Sequence, residues 1–172
     1  MKIELIGKLL TLKYRDRKNT ISGILVDFNN DFTLLKHNIV DYIIDGYIIL
    51  KSKNVLKVKH EENEIFTEKV LKLKGNNFEN NDLLSDNLSL ILEEITNKYI
   101  AFGFELKDDS KYYIGKFIKI QGDYLYIQTL NVNGTWNGVD KYKHNQIRVI
   151  NFDTDYINSL LIYNKSLNIS TD

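Results

Sequence analysis

The chain has 172 residues, 43% hydrophobic and 12% aromatic, which suits a packed core and excludes a disordered protein. It has no Cys, which excludes disulfides, thiolate nucleophiles and cysteine metal sites, and no apolar run near 18 residues, which excludes a membrane-spanning helix. Its 23 basic and 23 acidic residues cancel, but residues 1–60 hold 11 Lys+Arg against 6 Asp+Glu (+5), residues 61–110 hold 5 against 12 (−7), and residues 111–172 hold 7 against 5 (+2).

The N-terminal MKIELIGKLL carries Glu4 and Lys8 inside its apolar run and no small-residue cleavage site. That argues against a secretory signal peptide and makes the cytoplasm the expected location. Leu10 and Leu12 alternate with Thr and Lys, predicting a first strand over 7–15, and Arg15-Asp16-Arg17-Lys18-Asn19 predicts a polar turn. Ile24, Val26 and Phe28 predict a second strand, Asn29-Asn30-Asp31 a turn, and Phe32 to Leu35 the returning strand of a hairpin. Asp45-Gly46 reads as a further turn before the apolar run Tyr47–Leu50, and Val55 to Lys59 as a fifth strand. Five short strands in sixty residues is the spacing of a small barrel.

The period then changes. Phe66, Val70 and Leu73, with Ile65 beside them, predict a helix over 63–74 that buries that stripe, with Asn63 as its cap and Gly75 past its end. The segment GNNFENND reads as a linker. Leu84, Leu88, Ile91, Leu92 and Ile95 predict an amphipathic helix over 82–97. A last helix, capped by Asp153 or Thr154, carries Tyr156, Leu160 and Tyr163 on one face with Ile157 and Leu161 beside it.

A shift of 92 residues aligns the chain with itself without a gap for more than fifty positions. Asp16 falls on Asp108, Gly23 on Gly115, Asp31 on Asp123 and Gly46 on Gly138, while Leu10 and Leu12 fall on Phe102 and Phe104. Turn residues match turn residues and apolar residues match apolar ones, so a duplicated unit is expected. The implied organisation is a first barrel with its helix over 1–76, a linker and connector helix over 77–98, and a second barrel with its helix over 99–172.

The early glycine (Gly23, Gly115), the strand pattern G-x-L…F-x-L-L, the D-G-Y at 45–47 and the short I-x-x-V strand resemble the Sm-like small β-barrel superfamily and uncharacterised bacterial proteins carrying the same motif. The resemblance covers residues 7–60 and, more weakly, 99–151. It implies a mainly β fold with peripheral helices (β+α): two tandem five-stranded Sm-like small barrels, each followed by a helix. It also implies the option of RNA binding, which many such proteins carry out in rings. The loop at Asn29-Asn30-Asp31 is too short to carry a base-contacting Asn, and the last strands lack an Arg-Gly pair. Those two positions therefore do not transfer, and fold alone does not confer function.

No catalytic chemistry stands out. His37, His60 and His144 fall opposite Thr129, Phe152 and Ser52 under the 92-residue shift, so none belongs to a duplicated site. His60-Glu61-Glu62 lacks a second histidine at helical spacing and reads as a polar strand-to-helix corner. Glu61-Glu62, Glu93-Glu94 and Asp108-Asp109 are sequence neighbours, a poor spacing for acid–base pairs. No metal, cofactor or phosphate-cradling loop is expected.

Two surfaces are candidates for contact. Lys51, Lys53, Lys57 and Lys59 share parity, so an unbroken strand would set all four on one face; Arg15 and Arg17 add charge, and Tyr42 and Tyr47 lie nearby. Basic groups interleaved with aromatics suit a single-stranded nucleic acid, while a lysine-rich edge strand also serves to prevent aggregation. Trp136, the single tryptophan, sits in Gly134-Thr135-Trp136-Asn137-Gly138, where it either stacks on a partner or packs over the barrel end. The function expected is a non-catalytic protein-interaction or structural module with an unidentified protein partner. RNA or single-stranded DNA is the alternative partner, and no membrane is expected.

Overall fold

Alternating apolar residues and side-chain-capped turns set up the strands. In the computed structural model, which describes residues 1–76, 78, 84–107 and 111–169, the first unit runs from Met1 to Asp86 and the second from Asn87 to Asp172. Each unit is a five-stranded antiparallel sheet with helices, a mainly β architecture.

The first unit holds β1 (Leu9–Tyr14), β2 (Ile21–Phe28), β3 (Phe32–Val40), β4 (Ile43–Lys51), β5 (Val55–Lys59) and α1 (Glu62–Leu73), in the sheet order β5-β1-β2-β3-β4. The β2–β3 turn forms as the sequence predicts, because the Asn29 Oδ1 accepts the N–H groups of Asp31 (2.9 Å) and Phe32 (2.8 Å). Asp45-Gly46 is not a turn. The chain reverses at Asp41-Tyr42 instead, where the Asn38 amide donates to the carbonyls of Asp41 and Ile43, both at 2.9 Å. Asp45 and Gly46 lie within β4 at a register shift opposite His37, and the φ of +61° at Gly46 is the left-handed geometry such a bulge uses.

The second unit holds α2 (Leu88–Tyr99), β6 (Phe102–Leu106), β7 (Tyr112–Gln121), β8 (Tyr124–Leu130), β9 (Trp136–Lys143), β10 (Ile147–Phe152) and α3 (Asp155–Ile169), in the order β10-β6-β7-β8-β9. Its pairing repeats that of the first unit 92 residues on. Gly23 faces His37 and Gly115 faces Thr129; Leu12 faces Val58 and Phe104 faces Ile150. The β2–β3 ladder shifts between Leu25 and Asp27, and the β7–β8 ladder between Phe117 and Lys119. An Ala Cβ at Gly23 would come 2.5 Å from the Lys36 carbonyl oxygen, and one at Gly115 the same distance from that of Gln128. Both glycines are demanded by the close approach of the neighbouring strand's backbone. On the other side of each bulged strand, Leu25 donates its N–H to the Lys8 carbonyl (2.9 Å), and Phe117 donates its N–H to the Thr96 hydroxyl on α2 (3.0 Å).

The cores differ in chemistry at matched positions. Leu12, Ile21 and Leu50 in the first unit stand where the second has Phe104, Tyr113 and Tyr142, whose ring centroids lie 4.6–5.4 Å apart. The helix expected over 82–97 begins only at Leu88, with Asn87 accepting the Ser89 N–H; Leu84 is tied instead to the first sheet through its N–H to Asp27 (2.8 Å). Residues 82 and 83, most of the expected linker, and Asp108 lie outside the described residues. Among the described residues no helix is long and apolar enough to cross a membrane.

Candidate functional site

Helix α1 forms within one residue of the predicted span and turns the opposite way. Glu61 caps it, with the Glu64 carboxylate accepting the Glu61 N–H at 2.9 Å, and Gly75 and Asn76 close it by donating to Lys72 and Leu71 carbonyls. The stripe expected in the core, Phe66 and Leu73 with Ile65, faces solvent: Ile65 is 53%, Phe66 59% and Leu73 80% exposed. Glu64, Glu68 and Leu71 are buried in its place.

The reason lies in the length of β5. That strand ends at Lys59 opposite Thr11, so the outer backbone groups of Leu9 have no strand partner. His60 Nδ1 donates to the Leu9 carbonyl (2.8 Å) and Glu68 Oε2 accepts the Leu9 N–H (3.1 Å). An unmet buried N–H costs about 1–3 kcal/mol, and the Glu68 carboxylate turned toward the sheet removes that cost. Burial alone would raise the Glu68 carboxyl. Hydrogen bonds from Lys72 (2.6 Å) and the Leu9 N–H, with the charges of Lys72 and Lys8, outweigh it and hold the group below the usual carboxylate range. Glu64 is likewise lowered: burial raises it, and hydrogen bonds from Thr11 and from the Glu61 and Glu64 N–H groups, together with the Lys59 charge, outweigh that.

In unit two Ala101 stands at the position of Leu9 and donates its N–H to the Tyr99 carbonyl (2.8 Å), and the helix packs there through apolar groups instead. α3 buries Ile157 and Leu161 against Ala101, Ile114 and Leu130, with Trp136 and Leu160 alongside. Under the 92-residue shift Ile157 corresponds to exposed Ile65 and Leu161 to exposed Lys69. The sheet positions under it have diverged to match. Ile114 and Leu130 replace Ser22, which donates to the Leu10 carbonyl, and Asn38, which holds the hairpin turn. The face expected on this helix is also turned, with Tyr156 and Tyr163 left about half exposed.

The outward face of α1 meets the tip of the β3–β4 hairpin at Tyr42. Ile39, Val40 and Ile43 at its tip are half exposed. Tyr42 meets the Phe66 ring edge-on at 6.3 Å, and Lys74 Nζ donates to the Tyr42 carbonyl (2.8 Å), so tip and helix are joined. Sequence reading missed this surface because it assigned those helix residues to the core.

The lysines expected on one face are split. Lys51 ends β4, Lys53 lies in a 3-10 turn over Ser52–Asn54, and only Lys57 and Lys59 are in β5. The turn is fixed by Ser52, whose N–H reaches the Asp31 carbonyl and whose hydroxyl reaches that of Asn29, both at 2.9 Å. Lys57 pairs with Lys13, and Lys59 with Thr11, so Lys13, Lys57 and Lys59 share the outer face. Lys59 lies 4.0 Å from Glu61. Burial and then the neighbouring Lys53 lower the pKa of Lys51. Arg15 and Arg17 sit past β1, held through their backbones to Asn54 and Tyr14, and Tyr47 pairs with Lys36 on β4.

Trp136 belongs to the second unit, where it begins β9 opposite Leu130 instead of standing in a loop. Its Nε1 donates to Asn164 on α3 (3.1 Å), Lys116 lies over its ring at 4.9 Å, and Asn164 in turn donates to the Gly134 carbonyl (2.8 Å). It anchors α3. Gly138, though it matches Gly46 in sequence, has no left-handed φ and open space around it. Among the described residues no three His, Asp or Glu side chains are grouped to hold a metal. Comparison of the chain with protein-family models, curated proteins and solved structures found no match.

Proposed function

We propose that the chain is a non-catalytic protein-interaction or structural module, and that it meets its partner through the apolar face formed by α1 and the β3–β4 hairpin. One observation carries this reading: Ile65, Phe66 and Leu73 on the helix and Ile39, Val40 and Ile43 on the hairpin are all about half exposed or more, and Tyr42 joins the two groups. Contiguous exposed apolar surface is the mark of a docking site. The same reading takes each unit as a Sm-like small barrel and the pair as a duplication. The shared strand order and the matching bulges 92 residues apart support it.

The test is co-purification from the source cell with nuclease present, using the wild type and a Phe66→Glu/Leu73→Glu variant. Partners retained by the wild type and lost with the variant are expected. A retained set that the variant leaves unchanged overturns the reading.

A second reading places a single-stranded nucleic acid on Lys13, Lys57 and Lys59, which share one face of β1 and β5. It expects affinity for an oligonucleotide to fall steeply with salt and to drop on Lys57→Glu. An absence of binding at low salt overturns it.

A further inference from the structure

Along the side of α1 opposite its buried Glu64, Glu68 and Leu71 run Glu62, Phe66, Lys69 and Leu73, three or four residues apart, with Ile65 at the margin. The line is apolar in the middle and oppositely charged on either side: Glu62 precedes the pair Ile65 and Phe66 by three residues, and Lys69 follows it by three. Such a face is complementary to itself when reversed. Laid antiparallel about a two-fold axis passing between positions 65 and 66, it sets Ile65 against the partner's Phe66 and Glu62 against the partner's Lys69, each contact made twice. The helix dipoles oppose, which adds to the attraction.

We propose that the occupant of this face is a second copy of the chain, paired through α1 in that antiparallel register. This rests on the reading of the face as a protein-docking surface and names its partner. A single 12-residue helix gives a small interface, so the dimer is weak and reversible.

The experiment is sedimentation equilibrium of the full chain across a concentration series, with far-UV circular dichroism to confirm folding of each variant. The wild type is expected to show a concentration-dependent monomer–dimer equilibrium. Phe66→Glu abolishes it. Glu62→Lys or Lys69→Glu alone weakens it by about tenfold, since two attractive contacts become two repulsive ones. The Glu62→Lys/Lys69→Glu double variant restores it. A wild type that stays monomeric at every concentration overturns the proposal, as does a dimer indifferent to Phe66→Glu or one whose double variant is no tighter than the single ones. A monomer that nonetheless captures partners through Phe66 and Leu73 overturns the dimer alone and leaves the interaction reading standing.

Discussion

The Glu68 carboxylate on α1 accepts the backbone N–H of Leu9 on β1 at 3.1 Å, filling the place of a strand residue that β5 is too short to supply. This contact orients the helix. With Glu68 and Glu64 turned to the sheet, Phe66 and Leu73 are turned away from it.

Removing the contact therefore destabilises the first unit. Glu68→Ala leaves the Leu9 N–H unpaired and is expected to cost about 2–3 kcal/mol; Glu68→Gln keeps an acceptor and costs about 1 kcal/mol. Urea unfolding checks both values. Equal stability of Glu68→Ala and the wild type would show that water serves the Leu9 amide equally well.

Acid acts through the same groups. Glu64 and Glu68 have folded pKa values below the unfolded value of 4.5, so the native state holds fewer protons there than the unfolded one. Their contribution is present in full above that value and is lost as pH falls through the lowered folded values. Stability measured by urea at a series of pH values should be flat above about 5.5 and decline below 4.5, less steeply in Glu68→Gln. An unchanged slope in that variant would contradict the assignment.

The matched glycines behave alike. Gly23→Ala and Gly115→Ala each drive a Cβ to 2.5 Å from a carbonyl oxygen and should cost about 1–3 kcal/mol. Gly138→Ala meets nothing within 4 Å and should be neutral or stabilising by about 0.5 kcal/mol. Thermal unfolding of the three variants separates the two classes.

Trp136 reports on α3. Its indole bonds Asn164 and packs beside Ile157 and Leu161, so Leu161→Ala should destabilise the second unit by about 2–4 kcal/mol and shift Trp fluorescence to the red. As the single tryptophan, it makes the signal unambiguous. Unshifted emission would place the indole outside the α3 seat.

Much of the fold was legible because it depends on local chemistry. Asn29 makes its own turn, Gly75 ends α1, and the 92-residue shift reappears in the strand pairings. Errors arose where distant contacts decide. Phe66, Val70 and Leu73 form a sound helical stripe, and nothing within 62–73 reveals an unpartnered amide at Leu9. Asp45-Gly46 suits a turn and a bulge equally, and the choice falls to Asn38, which ties the reversal at Asp41-Tyr42. The lysine parity from 51 to 59 held no sign of the break that Ser52 makes by reaching back to Asn29. Leu84 matches the helical period of α2 but is claimed by Asp27.

The chain has no native cysteine, so the outward face of α1 can be probed directly with introduced thiols. Phe66→Cys, Leu73→Cys and Leu71→Cys variants are labelled with a thiol reagent in dilute native protein. Rapid labelling is expected at positions 66 and 73 and strong protection at 71; protection at 66 and 73 with rapid labelling at 71 would contradict the outward orientation of α1.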